Sequence, residues 1–139
     1  MATAMYSVTE TVYFSYGHRL LDHEGKCAHA HGHNARVEIR LDAPSLDRRS
    51  MVADFSEIGG AVTAWIEAHV DHRMILRRDD PLVKALRDLG EPVYLMDVSP
   101  TAEAIAKLIF DAASERGLPV AEVRVWETEM SVAAYRPAP

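Results

Sequence analysis

The chain has 139 residues, of which 48% are hydrophobic and 26% are charged, a composition typical of an ordinary globular protein. This length predicts one domain, spanning residues 1–139. A net charge of −6 at pH 7 argues against a nucleic-acid partner, because such proteins carry a basic patch or stripe. No apolar run approaches the roughly 18 residues of a membrane span, and the first residues lack a signal-peptide pattern. We therefore expect a cytoplasmic protein that does not enter a membrane.

Two segments of the chain alternate between apolar and polar residues, as half-buried strands do. The first covers residues 6–15 and the second covers residues 35–42. They flank a histidine-rich segment, so we expect them to pair as an antiparallel hairpin with a long, functional connection.

The rest of the chain is predicted to mix helices with short strands. In chain order these are a strand at 51–55, helices at 57–69 and 81–89, a brief apolar strand at 93–96, a helix from 100 to about 116, and strands at 120–127 and 131–136. Asp54 or Ser56 is expected to cap the first helix and Ser99 the last, which Gly117 ends. The predicted fold class is α+β, an antiparallel β-sheet with helices packed on one face. Exposed edges of such a sheet predict a homo-oligomer.

Five of the seven histidines and the only cysteine lie within the twenty residues from Phe14 to His33. His31 and His33 stand two residues apart, which places both side chains on one side of an extended backbone. His18 lies at the end of the preceding predicted strand. Three imidazoles in this arrangement are typical of a catalytic zinc site with one open position, where the metal acts as a Lewis acid on a hydroxyl or carbonyl.

Cys27 leaves two alternatives open. As a fourth ligand it would close a structural zinc site, in a protein that uses the cluster for structure or metal storage. As a free thiol it would be favoured as the reactive thiolate by Lys26, by His29 and by a nearby metal. A single cysteine also excludes an intrachain disulfide and suits a reducing compartment. His23 and His29 have no assigned role.

Three further positions carry candidate chemistry. Asp71 and His72 are adjacent, and in a tight turn the carboxylate can orient the imidazole as a general acid–base pair, although on an extended backbone the two need not touch. Glu127 ends an inward-facing row of a predicted strand, so it either pairs with a neighbour or recognises the paired N–H donors of a ligand. Thr101 lies in the first turn of a helix, whose free backbone N–H groups can contact a ligand.

Taken together, these segments resemble the 6-pyruvoyl-tetrahydropterin synthase superfamily, and within it the bacterial 6-carboxy-5,6,7,8-tetrahydropterin synthases of the queuosine pathway. The resemblance spans nearly the whole chain in the family's order, and its histidine–cysteine segment is the most specific part. The matching segments are FSYGHRL at 14–20, CAHAHGHN at 27–34, VADFSEI at 52–58, VDHR at 70–73, SPTAEAIA at 99–106, VWET at 125–128 and AAY at 133–135.

The resemblance implies a role for each candidate residue and an assembly for the chain. Zinc would be held by His18, His31 and His33. Cys27 would be the general base, with Asp71 and His72 as an acid–base relay. Glu127 would anchor the pterin through its 2-amino and N3 hydrogens, with Thr101 making nearby contacts. The implied tunnelling fold closes three subunits into a barrel and stacks two trimers into a hexamer whose active sites lie between subunits.

The activity implied by the resemblance is that of a zinc-dependent carbon–oxygen lyase, which converts 7,8-dihydroneopterin triphosphate to 6-carboxytetrahydropterin with release of acetaldehyde and triphosphate. Three residues separate Cys27 from His31, as in the bacterial 6-carboxy enzymes, whereas the animal-type pyruvoyl synthases carry a longer loop. A 6-pyruvoyl synthase or an aldolase-like activity on a related pterin is the alternative within the family. The chain departs from the family pattern at Ala35 and at residues 74–76, which bears on the substrate side chain and the product.

Overall fold

A six-stranded sheet and three α-helices make up residues 5–139, the part of the chain that this computed structural model describes. The strands are β1 (Tyr6–His18), β2 (His31–Ala43), β3 (Arg73–Arg77), β4 (Val93–Met96), β5 (Val120–Trp126) and β6 (Val132–Tyr135), and the helices are α1 (Phe55–His69), α2 (Leu82–Asp88) and α3 (Ala102–Glu115). The order of strands in the sheet is β4-β3-β1-β2-β5-β6. The predicted α+β class is confirmed.

The β1–β2 hairpin is the longest pairing in the sheet. The two strands run antiparallel from Tyr6 opposite Ala43 to His18 opposite His31. The predicted hairpin is confirmed, and both strands extend further into the histidine-rich segment than the alternation of residues 6–15 and 35–42 indicated. This extension makes the ends of both strands rigid parts of the sheet.

The sheet is mixed, which corrects the prediction of an antiparallel sheet. Strands β1, β2, β5 and β6 are antiparallel as predicted. By contrast, β3 runs parallel to β1 and β4 runs parallel to β3. The reason is the connections: β3 is reached through α1, and β4 is reached through α2, and parallel neighbours require such a crossover. The sequence analysis did not identify β3 at all, because its five residues RMILR show no alternation.

The helices pack against the sheet through an apolar core. Helix α1 contacts β1, α3 contacts β5 and β6, and the two helices contact each other. The core positions of β2, which include Ile39, are completely buried. In α1 the buried residues are Ile58, Val62, Trp65 and Ile66, whose spacing places them on one face of the helix. No helix within residues 5–139 is long and apolar enough to cross a membrane.

The helix starts show which capping predictions were right. Asp54 caps α1, since its carboxylate accepts a hydrogen bond from the Ser56 backbone N–H at 2.8 Å. Thr101 caps α3 through its hydroxyl, which corrects the assignment of Ser99. Gly117 follows α3 with a φ of +85°, a left-handed conformation that glycine adopts without strain.

The predicted strand at 51–55 is wrong. The carboxylate of Asp47 accepts hydrogen bonds from the backbone N–H groups of Arg49 and Met51, at 2.7 and 3.1 Å. These bonds fold the segment before α1 into a turn, which also places Ser50 at a φ of +64°. A local side-chain bond therefore overrides the apolar character of residues 51–55.

The outer edge of β1 is largely open. Strand β3 pairs only with Tyr16–His18, and the backbone groups of Ser15 bond to Asp71 and His72. In the described chain this leaves residues 6–14 of β1 without a strand neighbour on that side, and β6 ends the sheet on the other side. Both edges can pair with another strand.

We expect Ile39→Ala to destabilise the protein by about 3 kcal/mol, because it opens a cavity in the centre of the core. Urea unfolding followed by circular dichroism measures the change. The control is Arg48→Ala, at an exposed position in the loop after β2, which is expected to leave the unfolding midpoint unchanged. Equal midpoints for the two variants would contradict this assignment of the core.

Candidate active site around three histidines

The β1–β2 hairpin brings three imidazoles together. His18 ends β1, while His31 and His33 begin β2, and the strand register sets His18 directly opposite His31. One ring nitrogen from each histidine lies within 4.8 Å of the other two. The Nε2 atoms of His18 and His31 are 3.0 Å apart. These positions follow from the two-residue period of the paired strands, which aims all three rings to the core face of the sheet.

Hydrogen bonds from the other ring nitrogen orient two of the three imidazoles. The carbonyl of Pro100 accepts from His18 Nδ1 at 2.7 Å, and the carbonyl of His29 accepts from His31 Nδ1 at 2.7 Å. This arrangement puts the proton on Nδ1 and leaves the Nε2 lone pairs facing the centre of the cluster. Burial lowers the pKa of His18, which favours the neutral ring, and this effect outweighs the opposite one of the Pro100 carbonyl.

The donor set fits a transition-metal ion. Nε2 of His33 is buried and has no hydrogen-bond partner within the described residues, which is costly for a polar atom unless a ligand satisfies it. Three neutral imidazole nitrogens with backbone carbonyls behind two of them are the ligand and support arrangement found in metal centres with an open coordination position. The cluster can therefore hold a metal ion.

Glu127 and Tyr16 lie beside the three imidazoles. Glu127 follows β5 directly, and its two carboxylate oxygens are 3.9 Å from His18 Nε2 and 3.8 Å from His33 Nε2. The hydroxyl of Tyr16 donates to the Glu127 carboxylate at 3.4 Å. Burial and the nearby Glu127 charge raise the pKa of Tyr16, so its hydroxyl stays protonated as a donor.

Tyr16 was missed by the sequence analysis. It stands two residues before His18 on the same face of β1, and its ring packs against His18 and His33 with centroids 5.1 and 5.7 Å away. An aromatic residue in an alternating strand is typical of the core, and only its hydroxyl distinguishes it from Phe14. Its position in phase with His18 was the one available signal.

Cys27 lies apart from the cluster, in the loop between β1 and β2. It sits in a short 3₁₀ turn, Lys26–Ala28, and is half-buried. The backbone carbonyl of Cys27 accepts a hydrogen bond from the N–H of Leu20 at 2.8 Å. In residues 5–139 the group of side chains with ligand atoms within 4.8 Å of one another contains three histidines and no thiol. The arrangement therefore favours a site with an open position over a closed one with Cys27 as fourth ligand.

Asp71 and His72 form a hydrogen-bonded pair at the end of α1. The Asp71 carboxylate is 2.9 Å from His72 Nδ1 and accepts from the Ser15 N–H at 3.1 Å. Burial acts to raise the pKa of Asp71, but the hydrogen bonds from Ser15 and His72 together lower it. His72 has a φ of +56°, a left-handed conformation that creates the tight turn in which the two side chains meet.

The pair and the three imidazoles lie at different places in the chain. The His72 side chain is 80% exposed and lines a cleft of about 660 Å³ together with Ser15, Asn34 and Met74, and residues 31–33 also line this cleft. Ser15 and Asn34 alternate to the sheet face opposite the three histidines. Within the described chain no hydrogen bond or ion pair connects His72 with Cys27 or with the histidine cluster. The hydrogen bonds and ion pairs of one chain therefore do not link all the predicted catalytic side chains.

Thr101 follows Pro100, whose carbonyl contacts His18, and its hydroxyl is already engaged. Its hydroxyl accepts a hydrogen bond from the Ala104 N–H at 3.1 Å as the cap of α3. The preceding residue, Pro100, provides the carbonyl that orients His18. The start of α3 thus supports the histidine cluster through the Pro100 carbonyl. The Thr101 hydroxyl retains one lone pair for a further contact.

The chain is similar to members of a known protein family. The model of the 6-pyruvoyl tetrahydropterin synthase family matches residues 7–138. A 6-carboxy-5,6,7,8-tetrahydropterin synthase from Rickettsia typhi is 38% identical over 104 residues, which cover 73% of this chain and 75% of that protein.

Two solved structures share the fold of the single chain. An uncharacterised protein from Wolinella succinogenes has a TM-score of 0.80 at 25% identity, covering 98% of this chain and 100% of that one. The 6-pyruvoyl tetrahydropterin synthase of Caenorhabditis elegans has a TM-score of 0.70 at 19% identity, covering 99% of both chains. These neighbours confirm that the single chain has the predicted tunnelling fold. The chain belongs to the 6-pyruvoyl tetrahydropterin synthase family.

Proposed function

We propose that this protein is a zinc-dependent 6-carboxy-5,6,7,8-tetrahydropterin synthase, which converts 7,8-dihydroneopterin triphosphate to 6-carboxytetrahydropterin and releases acetaldehyde and triphosphate. The observation that carries the proposal is the cluster of His18, His31 and His33 with the buried, unsatisfied Nε2 of His33, in a chain of this family. The biological role would be in queuosine (7-deazaguanine) biosynthesis.

The three histidines are assigned as the zinc ligands. Their Nε2 lone pairs face one point, and the carbonyls of Pro100 and His29 hold two of the rings in that orientation. When bound, zinc would supply Lewis-acid polarisation of the substrate's side-chain hydroxyls, which acidifies the adjacent C–H bond. The chain itself provides a dry, preorganised set of neutral ligands for this chemistry.

Glu127 is assigned as the pterin anchor. Two carboxylate oxygens match the two parallel N–H donors that a pterin presents at its 2-amino group and N3, and charged acceptors make the stronger kind of hydrogen bond. Tyr16 supports the assignment, since its hydroxyl contacts one of these oxygens at 3.4 Å. Thr101, at the nearby start of α3, is proposed to make an additional contact to the ligand.

Cys27 is assigned as the base that removes a proton from the substrate side chain. A thiol suits this role because its thiolate accepts a proton readily. Asp71 and His72 are assigned as the relay that exchanges protons with the reacting side chain. Their hydrogen bond at 2.9 Å holds the imidazole in one orientation.

We propose that another copy of the chain supplies this relay. Ser15 and Asn34, which line the cleft beside His72, alternate to the sheet face opposite the three imidazoles, which supports a meeting of the two halves of the machinery across an interface. The open edge of β1 at residues 6–14 and the free edge of β6 are complementary surfaces for pairing between copies. Such pairing would close the curled sheet into the barrel that the family resemblance implies, with the hexamer as the proposed assembly.

The 6-carboxy product is preferred for two reasons. The relative from Rickettsia typhi carries that name. In addition, the three-residue gap between Cys27 and His31 is the shorter of the two forms in the family. Product analysis separates the alternatives: a 6-pyruvoyl product formed without acetaldehyde would contradict the proposed branch.

His33→Ala is expected to lose zinc, because it removes one of three ligands from a site with no protein ligand to replace it. Elemental analysis of the purified protein should give close to one zinc per chain for the wild type and less than about a tenth of that for the variant. His23→Ala is the matched control, since this exposed histidine contacts the Gly25 N–H and no ligand. Zinc content that is the same in both variants would contradict the ligand assignment.

Cys27→Ala is expected to fold, to retain zinc, and to lose about a hundredfold or more in kcat, which is the usual contribution of a general base. Turnover of dihydroneopterin triphosphate, followed by chromatography of the pterin and detection of acetaldehyde, measures the loss. Glu24→Ala in the same loop is the control and should remain active. Full activity of the Cys27 variant would contradict its assignment as the base, whereas a wild type that holds zinc without any turnover would favour the non-catalytic zinc protein.

Mixing two inactive variants tests the shared active site. If Cys27 and His72 act in one site but come from different chains, Cys27→Ala and His72→Ala subunits refolded together in equal amounts should regain about a quarter of the wild-type activity. The control mixture is Cys27→Ala with His33→Ala, which both damage the same half of the site and should stay inactive. No recovery in the first mixture would mean that the relay acts within one chain.

A further inference from the structure

Two ion pairs tie the loop of residues 19–30, which carries Cys27, to the turn between β3 and α2. In the first, the guanidinium of Arg19 donates from Nε to the Asp80 carboxylate at 2.9 Å, and its Nη2 contacts the other oxygen. In the second, Nη1 of Arg77 donates to Asp22 at 2.7 Å, while Nε of the same arginine donates to Asp79 at 2.6 Å. Both contacts are therefore charge-assisted hydrogen bonds with a defined direction.

Asp80 is the buried residue of the first ion pair. It is 3% exposed, and one of its oxygens also accepts from the Leu82 N–H at 2.8 Å at the start of α2. A carboxylate at this depth requires a partner, because burying a lone charge is costly. The bidentate contact with Arg19, the residue directly after His18, meets that requirement. The carboxylate thus fixes the point where β1 becomes the loop.

The loop has few other means of holding its shape. Its 3₁₀ turn, Lys26–Ala28, contains no buried residue, and residues 22–26 are exposed. Four backbone bonds lie within the loop, and two of them belong to the 3₁₀ turn. In the other two, the Leu20 N–H donates to the Cys27 carbonyl at 2.8 Å, and the His23 N–H donates to the Leu20 carbonyl at 3.1 Å. A displacement of Arg19 or Asp22 is consequently passed to Cys27 through Leu20.

We propose that the Arg19–Asp80 and Arg77–Asp22 pairs are positioning contacts, which hold the Cys27 thiol at a defined place in the loop between β1 and β2. This inference rests on the proposed role of Cys27 as the base. The three metal ligands belong to the paired strands and need no such help. The thiol belongs to a loop, and a displacement of about 1 Å at a reacting group can reduce a rate by a factor of about a hundred.

Two variants test the proposal with different risks to folding. Asp80→Asn removes the buried charge while the amide oxygen can still accept from Leu82. Asp22→Asn breaks the second pair at a side chain that is 82% exposed, so the variant should fold like the wild type. The control is Asp88→Asn, which breaks the exposed Lys84–Asp88 pair on α2 and touches no part of the loop.

Cys27 is the only cysteine, so its alkylation by iodoacetamide reports on this loop alone. We expect Asp80→Asn to raise the alkylation rate about tenfold, with a smaller rise for Asp22→Asn, because a loosened loop exposes the half-buried thiol more often. Hydrogen exchange of the Leu20 amide should accelerate in both variants. For turnover, kcat should fall about tenfold while KM and zinc content stay at the wild-type values.

The proposal would be overturned if both loop variants showed the same alkylation rate, hydrogen exchange and kcat as the wild type. A fall in thermal stability of Asp80→Asn with none of these three changes would also overturn it, because the pair would then be purely structural. The Asp88→Asn control should match the wild type in every measurement. Failure of the proposed function is distinguishable from failure of this proposal. If the wild type does not turn over the pterin but the loop is held as proposed, the two loop variants would still show the changes in alkylation and exchange.

Discussion

The register between β1 and β2 is the constraint on which the candidate site depends. It places His18 opposite His31 and Tyr16 opposite His33, so two sequence motifs thirteen residues apart become one cluster of rings. A shift of one residue would turn the histidines of one strand to the other face. The completely buried positions further along β2 prevent that shift, because it would expose the core. The same apolar packing that stabilises the domain therefore sets the geometry of the ligands.

The sequence predicted this part of the molecule well, for a physical reason. Alternation along β1 and β2 and the His31–His33 spacing are local patterns, and a strand converts them directly into a common face. Residues whose roles depend on distant contacts were harder to place. Strand β3 has no pattern of its own, and Tyr16 has the pattern of a core residue. Likewise, the sequence Ser99-Pro100 predicted Ser99 as the cap of α3. The cap is Thr101, because its hydroxyl is the one that accepts from the Ala104 N–H.

The candidate chemistry is divided between parts of the fold that differ in rigidity. The histidines and Tyr16 belong to the paired ends of β1 and β2, where backbone hydrogen bonds limit movement. Cys27 belongs to a largely exposed loop that is held at its ends. This division suits the proposed roles, since metal ligands must keep their distances to one another, whereas a base must approach a substrate that enters and leaves.

In the proposed assembly, the position of the Asp71–His72 pair makes the oligomer part of the chemistry. Its turn is built on the edge of the sheet, where both backbone groups of Ser15 are used to hold it. Immediately beyond Ser15, the edge of β1 is open. A strand from another copy that pairs with this edge would therefore end next to His72. It would lie away from the three histidines of the chain that carries this His72. Edge pairing and the completion of an active site are then a single event, and a monomer of this fold would hold a metal without a complete proton relay.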